Sequence, residues 1–355
     1  MSARQHISIA GDRTGLAKIV LVALAVLLVA AMLFSLASGA SDASATAILR
    51  DLLGQSDAVS LRDRVIIYDI RMPRVLMGVL VGAGLAVSGA VLQGLFRNPL
   101  ADPALVGVSA GSSLGAVSVI VLGATVLAPL TNAFGIMSLP LAAFAGGLIT
   151  TLILYRVATR QGRTSVATML LAGVALAALA MALTGVLIFL ADDRQLRDLT
   201  FWSLGSLAGA TWLKVAIIAP IIGLSLAATP FLANGLNAMA LGEARANHLG
   251  IPIQRLKYAA ILSVAASVGA SVAVSGGIGF VGIVVPHLLR LAIGPDNRYL
   301  LPASALLGAA LLLLADAVSR TIVAPVELPI GIVTALAGAP FFLWILLRKR
   351  GLLDL

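Results

Sequence analysis

Few residues in this 355-residue chain could do acid–base, nucleophilic or metal chemistry, and those few are scattered. There is no cysteine, which excludes disulfides, thiol nucleophiles and cysteine-ligated zinc. The three histidines, His6, His248 and His287, are too far apart in sequence to form a local ligand motif, so no metal site is expected. No Gly-Lys dipeptide occurs, and with it the phosphate-cradling GxxxxGK(S/T) loop is missing. The chain has no such route to ATP. Carboxylates are nearly missing from the apolar stretches, the nearest being Asp316 toward one end. Ion-coupled carriers usually keep ionisable groups at bilayer depth, so a self-sufficient secondary transporter is disfavoured, but it or a passive channel stays open. What remains is Arg71, Arg74 and Arg320 near the ends of apolar stretches, and one charged cluster, Glu243, Arg245 and His248.

The elements that must position these residues are set by lipid. Sixty per cent of the chain is hydrophobic and 11% charged, where a soluble domain carries about 25% charged residues. Mean hydropathy is +1.07. A water-soluble fold of this size could not hide so much apolar surface, which excludes a cytosolic enzyme and a nucleic-acid binder. Stretches of about 20 apolar residues recur along the chain. They predict an all-α polytopic membrane protein with ten transmembrane helices, near 17–38, 72–95, 104–123, 139–157, 167–190, 211–231, 258–275, 280–293, 301–319 and 330–347. The first is too long for the core of a cleaved signal peptide. The eighth holds Pro286 and His287 and needs a bundle around it to satisfy its freed backbone. With no soluble domain inserted, residues 1–355 read as one transmembrane domain.

The net charge of +9 then becomes an orientation signal. With the N-terminus cytoplasmic, the inner side collects fifteen basic and five acidic residues, and the outer side nine basic and ten acidic. Both termini lie inside, and Arg348-Lys349-Arg350 holds the last helix there. A short internal echo, Ala86-Val87-Ser88-Gly89 and Ala273-Val274-Ser275-Gly276, falls in helices of opposite direction, as in inverted-repeat transporters. Each copy has a proline thirteen residues after its alanine, Pro99 and Pro286.

On the inner side, LANGLNAMALGEARANHLGIPIQRLK joins the sixth and seventh spans. It predicts a short helix over about 238–250, ended by Gly250 in the left-handed conformation and barred from continuing by Pro252. Met239, Leu241 and Leu249 give it an apolar side. It is too short and too charged to span, so it suits either a groove in a soluble partner or the lipid surface.

At this loop the sequence resembles a known family. Leu241-Gly242-Glu243, with Leu249-Gly250 closing the helix, is similar to the coupling element of ATP-binding-cassette (ABC) importer permeases of the iron-complex, haem and vitamin B12 type, the FecCD family. Four further stretches share the resemblance: Arg71-Met72-Pro73-Arg74, Gln93 to Ser109 (QGLFRNPLADPALVGVS), Gly279 to Arg290 (GFVGIVVPHLLR) and Glu327 to Pro340 (ELPIGIVTALAGAP). Ala104 stands where that family usually has glycine. The resemblance implies a B12-permease-like inverted-repeat bundle in the bacterial inner membrane, and a second permease subunit, identical or related, beside this one. It implies two ATPase subunits inside, which hold ATP and Mg, and a periplasmic substrate-binding protein outside. No cofactor is expected on this chain.

The resemblance also implies roles for individual residues. Arg71, Arg74 and Arg320 would receive glutamates from the binding protein, as exposed guanidinium forks select carboxylates. The plainer roles are snorkelling to headgroups or, for Arg320, a pair with Asp316 one turn earlier. Leu241, Gly242, Glu243, Arg245, Leu249 and Gly250 would meet the ATPase. Asn98 and Leu100 would narrow the cytoplasmic end of the path. Ser165 and Thr168 would form the second gate element, although Val166 and Ala167 depart from the small-hydroxyl pattern. His287 reads as structural, and the many in-helix glycines, among them Gly82, Gly89, Gly185 and Gly308, read as sites of close helix contact. Ala191 to Trp212 and the run GLFRNPLADP look most like haem permeases, with ferric siderophore and cobalamin as alternatives.

Overall fold

A computed structural model describes residues 13–38, 60–103, 107–160 and 163–348. Helices fill all ten expected spans, the sixth being shared by two. These are α1 (Thr14–Ala37), α3 (Met72–Phe96), α4 (Val108–Leu122), α6 (Ser138–Ala158), α7 (Val166–Leu190), α9 (Trp212–Ala227), α12 (Ile253–Ser275), α13 (Val281–Ile293), α14 (Asn297–Thr321) and α15 (Ile330–Arg348). Shorter helices fill the connections: α2 (Leu61–Arg64), α5 (Ala128–Phe134), α8 (Asp193–Ser203), α10 (Thr229–Met239) and α11 (Glu243–His248). A π-helical segment, Val65–Arg71, joins α2 to α3. The described sheet is a two-strand hairpin, β1 (Thr159–Arg160) against β2 (Arg163–Thr164), with Thr159 opposite Thr164. Residues 104–106 of the expected third span and Lys349-Arg350 lie outside the described residues.

Helix α3 is the axis of the bundle. It is buried almost along its whole length, with Met77, Val81, Ala86, Ala90 and Leu92 fully enclosed. It packs on α14, α12, α13 and α9. Glycine permits the closest of these contacts. A side-chain carbon at Gly82 would run into the Gly308 carbonyl of α14, and one at Gly89 into the Gly282 carbonyl of α13. Without a hydrophobic force between helices in lipid, such backbone-to-backbone approach is what association rests on. Gly185 differs, because nothing stands within 4 Å of its added carbon. The close-contact expectation fails there within one chain, because α7 leaves most of its apolar residues, such as Leu171, Met181 and Phe189, exposed.

Several spans are short or broken. The sixth expected span, 211–231, is two helices, α9 and α10, meeting at 44°. Pro230 lies in the first turn of α10, where it lacks an amide to continue α9's ladder, and the bend follows. The expected cytoplasmic helix over 238–250 is likewise shorter. Ala238 and Met239 belong to α10, whose buried face is Leu232, Ala233, Leu236 and Met239. Gly242, at φ +101 and ψ 151, breaks the run, and α11 covers Glu243–His248. Gly250 takes the expected left-handed turn at φ +80. The four-residue echo occupies unlike places: Ala86 to Gly89 lies inside α3, whereas Ser275 ends α12 and Gly276 turns out of it at φ +68.

Gly82→Leu is expected to lower the apparent Tm of the detergent-purified protein, since overpacking costs about 1–3 kcal/mol. Gly185→Ala should leave it unchanged or raise it, by up to about 1 kcal/mol of helix propensity. Thermal scans that rank the two variants the other way would contradict the packing described.

Candidate functional site

Two charged clusters sit at opposite ends of α3, whose 25 residues at ~1.5 Å each make roughly 37 Å, enough to cross a bilayer. At its N-terminal end lie Arg71, Arg74 and Arg320. Arg74 spans two carboxylates. Its Nε and Nη2 donate to Asp316 Oδ1 at 3.1 and 2.9 Å, and its Nη1 and Nη2 donate to Glu327 Oε1 and Oε2 at 2.9 and 2.8 Å. Arg320 pairs with Asp316 Oδ2 at 3.1 Å, one helical turn away, and donates to Ser38 O and Ser35 Oγ, both at 2.9 Å. Arg71 donates to Leu36 O at 2.7 Å. Arg71 and Arg320 therefore complete the C-terminal end of α1, whose last carbonyls lack partners within the helix.

The three arginines were expected to be exposed forks; they are 4%, 6% and 4% exposed. Desolvated guanidinium groups need anions, and Asp316, itself buried, supplies one to two of them. Sequence reading anticipated the Arg320–Asp316 pair but missed that Asp316 also serves Arg74, 242 residues earlier. Glu327 was also missed as a partner. Its side chain is 35% exposed, so it is the part of the cluster most open to the outside.

At the other end of α3, Arg97 closes the helix in the left-handed conformation, and the turn of Asn98 and Leu100 follows. Asn98 Oδ1 accepts from the Leu100 amide at 2.9 Å, and Leu100 is exposed. Ser165 caps α7, its Oγ accepting from the Thr168 amide at 3.2 Å. The two expected gate elements are thus separate local turns, each closed by its own side chain. Of the expected ATPase-contacting residues, Leu241, Arg245, Leu249 and Gly250 are exposed. Glu243 is 40% exposed and pairs with Lys257 Nζ at 2.8 Å. Lys257 was passed over as one more inner-side charge, yet it is 1% exposed.

Between the two ends lies a cavity of about 320 Å³, lined in part by Leu85, Asp102, Ser109, Val272, Phe280 and Gly282. Asp102 Oδ2 stands 3.5 Å from where a carbon added at Gly282 would sit. The stretch after α3 therefore carries a carboxylate back to the level of Leu85, midway along α3. Sequence reading placed Asp102 in a simple inner turn and so missed it; the prolines on either side, Pro99 and Pro103, mark only that the helix has stopped. His287 is buried within α13. Among the described residues, no three or more His, Cys, Asp or Glu gather as a metal site.

The pattern of the FecCD transport family matches residues 27–348. The hemin transport system permease protein of Yersinia pestis is 46% identical over 282 residues, 79% of this chain and 83% of that one. The vitamin B12 import system permease protein of Salmonella paratyphi A is 42% identical over 333 residues, 93% of this chain and 95% of that one. A solved inward-facing structure of a transporter assigned to the metal-chelate ABC type superposes with a TM-score of 0.80 at 32% identity. That match covers 93% of this chain and 99% of the other. The alternative of a self-sufficient secondary transporter falls with these matches. From residue 27 to 348 the chain belongs to the FecCD transport family, as a multi-pass inner-membrane permease subunit of an ABC importer whose ATP hydrolysis lies in separate subunits.

Proposed function

We propose that the chain forms, with an identical second copy, the path by which haem crosses the inner membrane. Two ATPase subunits, holding ATP and Mg, drive it from α11, and a periplasmic binding protein docks at the Arg74 cluster. The observation that carries this reading is the placement of the two charged clusters at opposite ends of one buried helix, α3. Support for a partner copy comes from α7, whose apolar flank is bare in one chain. Haem is favoured by the 46% identity to the hemin permease and by the look of residues 191–212.

In this reading each residue has a bounded task. Leu241, Leu249 and the exposed side of α11 enter a groove on the ATPase, with Arg245 at its rim. Displacement of α11 reaches the turns holding Asn98 and Leu100 and, across from them, Ser165 and Thr168, which close the path inside. Outside, glutamates of the binding protein approach Arg74 from the side now held by Glu327. Arg71 and Arg320, tied to α1 and Asp316, hold Arg74 in place and add to the positive field that speeds encounter.

Two experiments test this. In liposomes with the ATPase inside and binding protein outside, hemin is expected to accumulate only with ATP. Accumulation of cobalamin or a ferric siderophore with hemin excluded would move the cargo accordingly, and hemin flux without the ATPase would refute the coupled path. At the outer cluster, Arg74→Gln should weaken binding-protein docking at least about tenfold, about 1.4 kcal/mol, by surface plasmon resonance. Glu327→Gln should dock as well as wild type or better. The reverse pattern would assign docking to the carboxylate instead.

A further inference from the structure

Three segments distant in sequence meet at the start of α11. Lys257, on α12, is fully buried, and its Nζ holds Glu243 Oε1 at 2.8 Å and donates to Thr164 O at 2.6 Å. Gln254, one turn earlier on α12, accepts from the Thr164 amide through Oε1 at 3.0 Å. Both backbone polar groups of Thr164 are therefore taken by α12. Its side chain is engaged as well, with its hydroxyl 2.9 Å from that of Thr159 across the hairpin. The next residue is Ser165, the cap of α7. On the other flank, Arg97 Nη1 stands 3.6 Å from the place a side-chain carbon would occupy at Gly242, and Arg97 leads directly into Asn98. Gly242 thus lies beside the side chain of Arg97, the residue before one gate turn, and Glu243 reaches the other turn through Lys257.

A buried ammonium cannot part from its counter-ion without leaving an uncompensated charge in a low-dielectric site. Lys257 has a second obligation as well, since Thr164 O is buried and needs a donor. Parting Glu243 and Thr164 from Lys257 would therefore strand buried polar groups. Helix α11 is only six residues long and lies between Gly242 at φ +101 and Gly250 at φ +80, so its freedom is that of a short rod on two glycine joints.

We propose that Lys257 is the positioning residue that passes displacement of α11 to the Thr164–Ser165 turn, and so to the cytoplasmic end of α7. The inference rests on the reading of α11 as the ATPase contact, and it adds the element that makes a push at α11 felt at a gate that α11 does not itself contain.

The test uses the permease co-purified with its ATPase in nanodiscs, and its readout is the stimulation of ATP hydrolysis by the binding protein, which does not depend on the cargo. Lys257→Met is expected to cut that stimulation at least about fivefold, the lower end of usual coupling between sites, with ATPase still bound. Lys257→Arg, which keeps charge and donors, should restore most of it. Unchanged stimulation in Lys257→Met overturns the proposal. An ATPase that fails to associate with the unaltered chain, or that crosslinks elsewhere than α11, overturns the ATPase-contact reading instead. Should Lys257→Met fail to assemble, the native lysine can be tested in place. The chain lacks cysteine, so exposed Arg160 and Asn247 can be changed to cysteine and spin-labelled. The link requires the same label separation with and without bound ATP, and a separation that changes with nucleotide overturns it.

Discussion

Lipid offers no hydrogen-bond partner, so every place where this chain leaves helical geometry at membrane depth must be enclosed by protein. That constraint arranges the molecule. Helix α3 runs unbroken, and irregular segments pack near it: the turn after Phe96, the non-helical residues between Ser275 and Val281, and the joint at Ala228. Short helices α4 and α13 follow a left-handed residue each, Gly107 and Phe280. Gly89 lets the start of α13 lie directly on α3, where Gln93 donates to Gly282 O at 3.3 Å and its Oε1 accepts from Arg290 at 2.6 Å. The broken spans are possible because α3 is whole and its glycines let neighbours close on it.

The same solvent decides what the charged residues can do. At the outer end, Arg74 and Arg320 share Asp316, Arg74 also holds Glu327, and Arg71 and Arg320 finish α1, so the cluster is first a way of holding α1, α3 and α14 together. Breaking such a buried pair from one side typically costs about 3–5 kcal/mol, which makes Asp316 the fixed counter-ion and Glu327, about one third exposed, the exchangeable one. Docking and architecture are therefore not rival readings of Arg74. One edge of its guanidinium is committed to Asp316, and the other is held by a carboxylate that a partner's carboxylate could replace.

Hydropathy made the ten spans legible, because lipid imposes its own length and apolarity on a segment whatever it packs against. Pro286 in the eighth span also pointed to a helix that needs neighbours packed around it. What the sequence hid are facts about neighbours. Nothing near Arg74 announces Asp316, and nothing near Thr164 announces Lys257; both pairs are made by helices crossing. The start of α11 was misplaced for a local reason, since Ala238 and Met239 carry good helix propensity, and only the backbone conformation of Gly242 shows that they end a different helix. Asp102 escaped notice because a polar residue after a helix reads as a solvent turn, until the chain is seen to fold back toward Leu85.

The joint at Gly242 gains its meaning from what is fixed beside it. Asn237, near the end of α10, donates to Asp296 Oδ1 at 2.8 Å and accepts from the Asn297 amide at 2.8 Å, pinning α10 to the start of α14. Hydrogen bonds from Arg298, helped by Asn237, hold the Asp296 carboxyl at about 2, so it is ionised throughout the physiological range and the pin does not depend on pH there. Helix α12 is anchored as firmly on α3, α6 and α9. Between these two fixed helices, α11 is bounded by the glycine joints at Gly242 and Gly250, with Ala246 seated in the core and Glu243 paired to Lys257. A permease without an energy source of its own needs such a contrast: a small lever free at its ends, set in a frame that does not give.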